Sequence, residues 1–434
     1  MPPRDDVETE DDDPIAMGDW TPTPGVLVVF EGGASTLRAV RLPASPVRVG
    51  RGAECELCIA DTHASRVHAE ITLAEVGVVA RDLESRNGTF VDGAAAPGSA
   101  TRTIRVGATV LFVTSDVTPF VDRRVIVHDD VVIGPSMHRA RMVLAEAARR
   151  RKTCLIVGES GTGKESAARH YHAKGGYSSG PFVAVNCAAI PKELAETELF
   201  GAVKGAHSTA LADKAGFFGA AHGGVLFLDE IGTLDLALQA KLLRAVETKE
   251  ITPVGSTTPR RVDLDICAAT NADLDGDAER GVFRMDLLQR IRQVEVQLPP
   301  LRDRPEEIAY LVEIAVKRAD AAARASAALV EACLLRAFRN TNVRGLVNAV
   351  DAAVVQARAN DRDLVQGVDL PKPKPSDAWE HEVSLSEAPL VSDRDRRAAV
   401  FLGAYRQSGN VDAAAQLAGI ARSTAYDILK RSKR

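Results

Sequence analysis

At 434 residues the chain is too long for a single ordinary core, and its 45% hydrophobic and 26% charged composition is that of a soluble protein of two to four domains. No apolar run is long enough to cross a bilayer, and the acidic start MPPRDDVETEDDD lacks the basic and apolar regions of a secretory signal, so a cytoplasmic location is expected. The net charge of −5 conceals an asymmetry: residues 1–20 hold eight acids against one arginine, whereas residues 395–434 hold eight Lys or Arg against three Asp, a distribution that points to nucleic acid at the C-terminal end.

Residues 1–24 read as a disordered acidic leader. Residues 25–122 carry short β-like runs (GVLVVF, VRVG, CIA, AEITLA, TVLFVT) separated by Gly, Asp, Asn and Pro, which predicts an all-β sandwich. Cys55 and Cys58 form a CxxC within it, but no second pair follows at zinc spacing, so small packed residues near a strand are expected rather than a metal site. The six cysteines as a set fit reduced thiols.

Three motifs lie in this β segment: VGRG with Arg51, SRVHAEI with Ser65, Arg66 and His68, and DLESRNGTFVDG with Asn87, Gly88 and Thr89. Together they resemble the forkhead-associated (FHA) domain, a sandwich that binds phosphothreonine through loops at one end. The resemblance assigns Arg51 and Arg66 as charge-assisted donors to a phosphate dianion and Ser65 as a hydroxyl donor. It places Asn87 and Gly88 against the peptide backbone and makes His68 a brace for the loop. A generic sandwich with basic loops is the alternative.

From about residue 126 amphipathic helical stretches such as RARMVLAEAARR alternate with buried-strand runs, TCLIVG, PFVAVNC, GVLFLDE and VDLDICAAT. That alternation predicts an α/β subdomain over 126–297, a parallel sheet with helices on both faces. GESGTGKE follows the first of these strands and opens a helix: Gly158, Glu159, Ser160, Gly161, Thr162, Gly163, Lys164 and Glu165. Glycines at this spacing let backbone N–H groups curl around phosphate oxygens, and Lys164 can reach the β- and γ-phosphates of a nucleotide. Glu165 stands where such loops usually carry Ser or Thr. Alone, the motif could be only a turn. GGVLFLDEI then ends a second strand in Asp229 and Glu230, one suited to hold Mg²⁺ and the other to polarise an attacking water.

The stretch from about Ile133 to Arg344 resembles the AAA+ ATPase domain of the bacterial sigma-54-dependent activators: GESGTGKE, FVAVNCAAI, ETELFG, AAHGGVLFLDEIG, AATNADL, FRMDLLQRI and LPPLRDRPEEI occur in that order. The resemblance implies ATP and Mg²⁺ as cofactors. It implies Asn271 as the first sensor and Asn186 as a switch partner of Glu230. Arg284 and Arg290 become fingers inserted into a neighbouring subunit, Arg344 the lid sensor, and a hexameric ring the working assembly. Residues 298–367, rich in alanine and helical in pattern, would be the helical lid, and 368–391 a Pro-rich linker.

Two stretches depart from that family. The loop that contacts sigma-54, usually GAFTGA, reads Gly205, Ala206, His207, Ser208, Thr209, Ala210, with His in place of the apolar contact residue and a β-branched residue in place of Gly. The lid motif is reduced to NTNVRGL.

Residues 392–434 have helical periodicity with breaks at helix–turn–helix spacing and resemble the Fis-type DNA-binding domain, with Arg422, Ser423, Thr424 and Tyr426 at the front of the recognition helix. A helical dimerisation tail is the alternative.

The sequence therefore predicts three folds in one chain: all-β sandwich, α/β ATPase with helical lid, and small all-α DNA reader. The function it predicts is a DNA-bound, ATP-hydrolysing regulator that remodels RNA polymerase carrying sigma-54 from enhancer-like sites. A phosphothreonine protein or Ser/Thr kinase would supply the input, and dimer and hexamer would be its assemblies. A sigma-54-independent DNA-binding regulator or repressor is the alternative, raised by GAHSTA. A phosphopeptide scaffold with a vestigial ATPase is a third reading, opposed by the intact Lys164, Asp229, Glu230, Asn271, Arg284 and Arg290.

Overall fold

The structure, a computed structural model, describes residues 22–74, 77–95, 98–100, 102–206, 212–374, 377 and 411. The acidic leader through residue 21, loop positions His207, Ser208, Thr209 and Ala210, most of the linker and the helix–turn–helix with Arg422, Ser423, Thr424 and Tyr426 lie outside the described residues. No helix among the described residues is long and apolar enough to cross a membrane.

Among the described residues the front of the chain forms ten strands: β1 (Gly25–Glu31), β2 (Ala34–Arg41), β3 (Val47–Gly50), β4 (Leu57–Cys58), β5 (Ala69–Ala74), β6 (Gly77–Asp82), β7 (Thr89–Val91), β8 (Gly98–Ala100), β9 (Thr103–Val106) and β10 (Thr109–Thr114). They make two five-stranded sheets, ordered β2-β1-β10-β9-β7 and β4-β3-β5-β6-β8. The sheets close on a core that includes Val26, Val28, Val49, Ile71, Ile104 and Leu111. Alternation along each strand sends these residues inward.

A hairpin of β11 (Ile126–His128) and β12 (Val131–Ile133) leads into α1 (Pro135–Arg149), whose first residue, Pro135, has its φ preset for a helix. There follow β13 (Cys154–Val157), α2 (Lys164–Lys174), β14 (Phe182–Asn186), α3 (Lys192–Phe200), α4 (Gly216–Ala220), β15 (Val225–Asp229), α5 (Leu236–Thr248), β16 (Glu250–Ile251), β17 (Arg260–Arg261), β18 (Asp265–Thr270), α6 (Leu274–Glu279), α7 (Met285–Ile291) and β19 (Val294–Gln297). The main sheet is all parallel, in the order β14-β15-β18-β13-β19. The inner strands β13, β15 and β18 are apolar through their centres, where both faces are covered. Cys154, Ile156, Val225, Phe227, Cys267 and Ala269 pack with Leu144 and Tyr171 of α1 and α2. The intervening Leu155, Leu226, Leu228, Ile266 and Ala268 pack with Leu242, Leu287 and Ile291 of α5 and α7.

The lid consists of α8 (Pro305–Ala319), β20 (Arg324–Ala325), α9 (Ala327–Leu334), α10 (Asn342–Ala359) and β21 (Leu364–Val365), the two short strands pairing in parallel. It runs further than its predicted end at residue 367. A capping box between Gln366 and Asp369 and the Arg362–Asp369 ion pair fold the next turn back, and Leu370 is buried against the lid.

The front domain is docked on this lid. On β1, Val26 and Val28 face the sandwich interior, whereas Leu27, Val29 and Phe30 join Ile308, Val312, Ala315, Val330 and Leu334 of α8 and α9 in one apolar cluster. At its edge the buried Glu331 of α9 accepts from Arg105 Nε at 2.6 Å and from the Gly93 N–H at 3.3 Å, and Glu313 of α8 accepts from the Ser35 N–H at 3.1 Å.

Candidate functional site

The parallel register brings the C-terminal ends of β13, β15 and β18 to one edge, with Val157 opposite Thr270 and Leu228 opposite Ala268. Ligands of open α/β sheets bind at that edge. Residues 158–163 leave β13 there and turn into α2. Gly161 and Gly163 adopt φ of 77° and 99°, a conformation that favours glycine.

Lys164 is buried at the first turn of α2. Its Nζ donates to the carbonyl of Gly158 at 3.1 Å and lies 3.4 Å from Glu230 Oε1. Asp229 ends β15; burial pushes its carboxyl above the usual range, and the Lys164 ammonium opposes that shift. Glu230 follows with φ of 52°, a strained conformation for a side-chain-bearing residue. Its backbone N–H donates to Asp229 Oδ1 at 3.0 Å, and its Oε2 accepts from the Asn271 backbone N–H at 3.4 Å. Lys164, Asp229, Glu230 and Asn271 thus converge on one crevice. Asn186 sits opposite Asp229 in the strand register, and its side-chain oxygen accepts from the Ala188 N–H at 2.9 Å.

Two residues of the motif have their side chains engaged by other groups of the chain. Glu165 is exposed and paired with Arg169 one turn on, at 2.7 Å, so its carboxylate does not replace the missing Ser or Thr hydroxyl. The hydroxyl of Thr162 donates to the carbonyl of Glu159 at 2.9 Å. Among the described residues no group of three or more His, Cys, Asp or Glu could hold a metal ion. A single carboxylate, Asp229, beside a phosphate-binding loop fits Mg²⁺, a hard ion that takes one or two carboxylates and fills its shell with phosphate oxygens and water.

The lid closes over this loop. Arg344 Nη1 donates to Ser160 Oγ at 3.3 Å, and the Val343 N–H donates to the carbonyl of Gly161 at 3.1 Å. Arg304, which the sequence reading did not single out, is buried and donates to the carbonyl of Thr162 at 3.3 Å and to Glu307 at 3.1 Å. Its only sequence signal is its place in LRDRPEEI.

Arg290 is exposed on α7, and Arg284, half-buried, caps the start of that helix. Arg284 forks onto Asp286, at 3.0 and 2.7 Å, and Arg290 Nε donates to Glu247 at 2.8 Å. An open pocket of about 540 Å³ beside Arg284 is lined by Leu236, Phe283, Met285 and Asp286.

At the loop end of the sandwich, Arg51, Arg66 and Asn87 are exposed. The Arg51 and Gly52 N–H groups donate to the carbonyls of Ser65 and Arg66, at 3.1 and 2.9 Å, which ties the two arginine-bearing loops together. His68 is fully buried; its Nδ1 accepts from the Ser65 N–H at 3.0 Å, so the ring proton is on Nε2, which reaches the carbonyl of Gly88 at 3.1 Å. His68 is a brace, as its position in the motif suggests. Ser65 Oγ accepts from the Arg86 N–H at 3.2 Å, which leaves the hydroxyl proton free to donate outward. Asn87 Nδ2 donates to the carbonyl of His63 at 2.7 Å. The exposed Arg86 adds a third cation that the motif reading missed. Cys55 and Cys58 are free thiols lying 3.2 and 3.8 Å from the carbonyls of Arg66 and Arg51.

Residues 131–297 match the model of the sigma-54 interaction domain, and residues 47–113 match that of the FHA domain. The response regulator PilR of Pseudomonas aeruginosa is 38% identical over 305 residues, which cover 68% of each chain. The transcriptional regulatory protein FlbD of Caulobacter vibrioides is 41% identical over 254 residues, 58% of this chain and 54% of FlbD. The chain thus spans about half the length of FlbD, and it spans 30% of the uric acid regulator UacR of Escherichia coli. Among solved structures, NtrX from Brucella abortus in complex with ATP is 30% identical with a TM-score of 0.51, covering 70% of this chain and 69% of that one.

Proposed function

As this chain belongs to the sigma-54-dependent transcriptional regulators, we propose that it hydrolyses ATP in a ring of copies and uses the work to remodel RNA polymerase carrying sigma-54. One observation carries the reading: a buried lysine, two carboxylates at a strand end and a lid arginine meet on a single glycine-rich turn. In this mechanism the N–H groups of the 158–163 turn and Lys164 bind the β- and γ-phosphates of ATP. Mg²⁺ held by Asp229 would neutralise charge on those oxygens. Glu230, anchored by Lys164 and the Asn271 amide, orients the attacking water. Asn271 senses the γ-phosphate, and Asn186 is the partner that Glu230 takes up when the nucleotide state changes. Arg344 contacts the nucleotide from the lid. Arg284 and Arg290 supply guanidinium forks to the adjacent copy, a role that their partly exposed side chains permit.

The front domain reads phosphothreonine through Arg51, Ser65, Arg66, Asn87 and Gly88, and the C-terminal segment reads DNA through Arg422, Ser423, Thr424 and Tyr426. The decisive assay is ATP turnover at concentrations that allow assembly, with Lys164→Ala as the control. Turnover independent of Lys164, or absent, would reject the mechanism.

A second reading has a specific observation behind it. The loop 205–210 reads GAHSTA, so the ring could serve a regulator that does not engage sigma-54. Capture of sigma-54 by the ring held with ADP and aluminium fluoride separates the two, and no capture selects the second.

A further inference from the structure

Glu159, the second residue of the phosphate loop, points its side chain at the lid. Arg302 Nη2 donates to Glu159 Oε1 at 2.8 Å and Nη1 to Oε2 at 3.1 Å, a two-pronged pair. The same Oε2 accepts from Asn342 Nδ2 at 3.0 Å and from the Asn340 N–H at 3.4 Å. Arg302 belongs to the short turn that begins the lid, and Asn342 opens α10, so one carboxylate ties two separate segments of the lid to the loop. Asn342 is fully buried and left-handed, with φ of 47°. It completes the knot: its Oδ1 accepts from the Leu301 N–H at 2.7 Å, and its Nδ2 also donates to the carbonyl of Ser160 at 2.9 Å. Two residues further on, Arg344 lies on Ser160 Oγ.

A loop built only to hold phosphate gains nothing from an acid at this position, since the charge would repel the triphosphate. Here the Arg302 guanidinium holds the Glu159 carboxyl below its ordinary range and cancels its charge. We infer that Glu159 is a positioning residue, whose carboxylate clamps Arg302 and Asn342 to the phosphate loop and thereby seats Arg344 over the nucleotide. The inference rests on the ATP-hydrolysing reading of the same site and adds the device that sets the lid's angle.

The test uses the full chain and the variants Glu159→Ala, Glu159→Gln, Arg344→Ala and Glu159→Ala/Arg344→Ala. In Glu159→Ala, hydrogen exchange at the Leu301 and Val343 amides rises at least tenfold. Its kcat falls at least tenfold, while the Kd for a non-hydrolysable ATP analogue changes less than threefold, because Lys164 and the loop amides remain. Glu159→Gln, which keeps an acceptor for Asn342, recovers part of the kcat. Adding Glu159→Ala to Arg344→Ala lowers kcat by less than a further twofold, since the clamp acts through that arginine. Unchanged amide exchange, equal losses in kcat and affinity, no recovery by Gln, or multiplied losses in the double variant would each overturn the assignment. If the unaltered protein lacks Lys164-dependent turnover, the ATPase reading fails, and the exchange measurement still decides whether the clamp exists.

Discussion

Gly161 and Gly163 offer a matched pair of perturbations inside one loop. Both are left-handed, so alanine at either costs about 1–2 kcal/mol in backbone strain. They differ in surroundings. A Cβ at 163 meets nothing within 4 Å, whereas one at 161 would press into the carbonyl oxygen of Thr341 and lie 3.4 Å from Arg344 Cβ. Gly161→Ala must therefore push the start of α10 off the loop. It forfeits the Val343 N–H bond to the 161 carbonyl, about 1 kcal/mol, and adds an overpacking cost of about 1–3 kcal/mol. The difference between the variants is then about 2–4 kcal/mol, or about 4–16 °C in the melting of a unit this size. Scanning calorimetry without nucleotide measures it, free of any effect on phosphate binding. Melting points within about 2 °C of each other would refute the claim that the loop and lid are wedged together at this glycine.

Arg105→Ala strands the buried Glu331 carboxylate and should cost about 3–5 kcal/mol in thermal or denaturant unfolding, whereas Arg105→Leu/Glu331→Leu should cost far less. Glu306 is buried, its Oε2 has no partner, and burial, reinforced by the Glu307 charge, raises its pKa to about 7. An acid whose folded pKa exceeds its unfolded value keeps a proton that the unfolded chain has lost, so stability falls as pH rises from about 4.5 to about 7. Glu306→Gln should flatten that slope and raise stability above pH 7, read from urea midpoints across the range. Mixing Lys164→Ala with Arg290→Ala chains should restore ATP turnover that neither has alone, and no restoration would mean that the arginine does not act across subunits. Arg51→Ala should weaken binding of a phosphothreonine peptide at least tenfold by calorimetry, with unphosphorylated peptide as the blank.

The candidate crevice was legible because its parts are local. The glycine spacing, the carboxylates ending GVLFLDE and the polar residue after DICAAT each sit where a buried strand stops, and apolar runs announce such strands plainly. The loops of the sandwich were legible for the same reason, down to His68 as a brace. What escaped was long-range. Nothing near Glu159 in the sequence indicates a partner 143 residues away at Arg302, and nothing near Glu331 indicates Arg105. The docking of the two domains left one trace: GVLVVF has no polar alternation, so both of its faces must be covered. Read as a strand, it says nothing about what covers the second face. The lid's extension to Leu370 was hidden because a Pro- and Lys-rich composition masked the Gln366–Asp369 box.

The cluster joining β1 to α8 and α9 has a bearing on how such chains diversify. A recombinant that exchanged the front domain would strip cover from Ile308, Val312, Val330 and Leu334 and leave an oily surface on the lid. A successful graft would have to carry a matching sheet face with it.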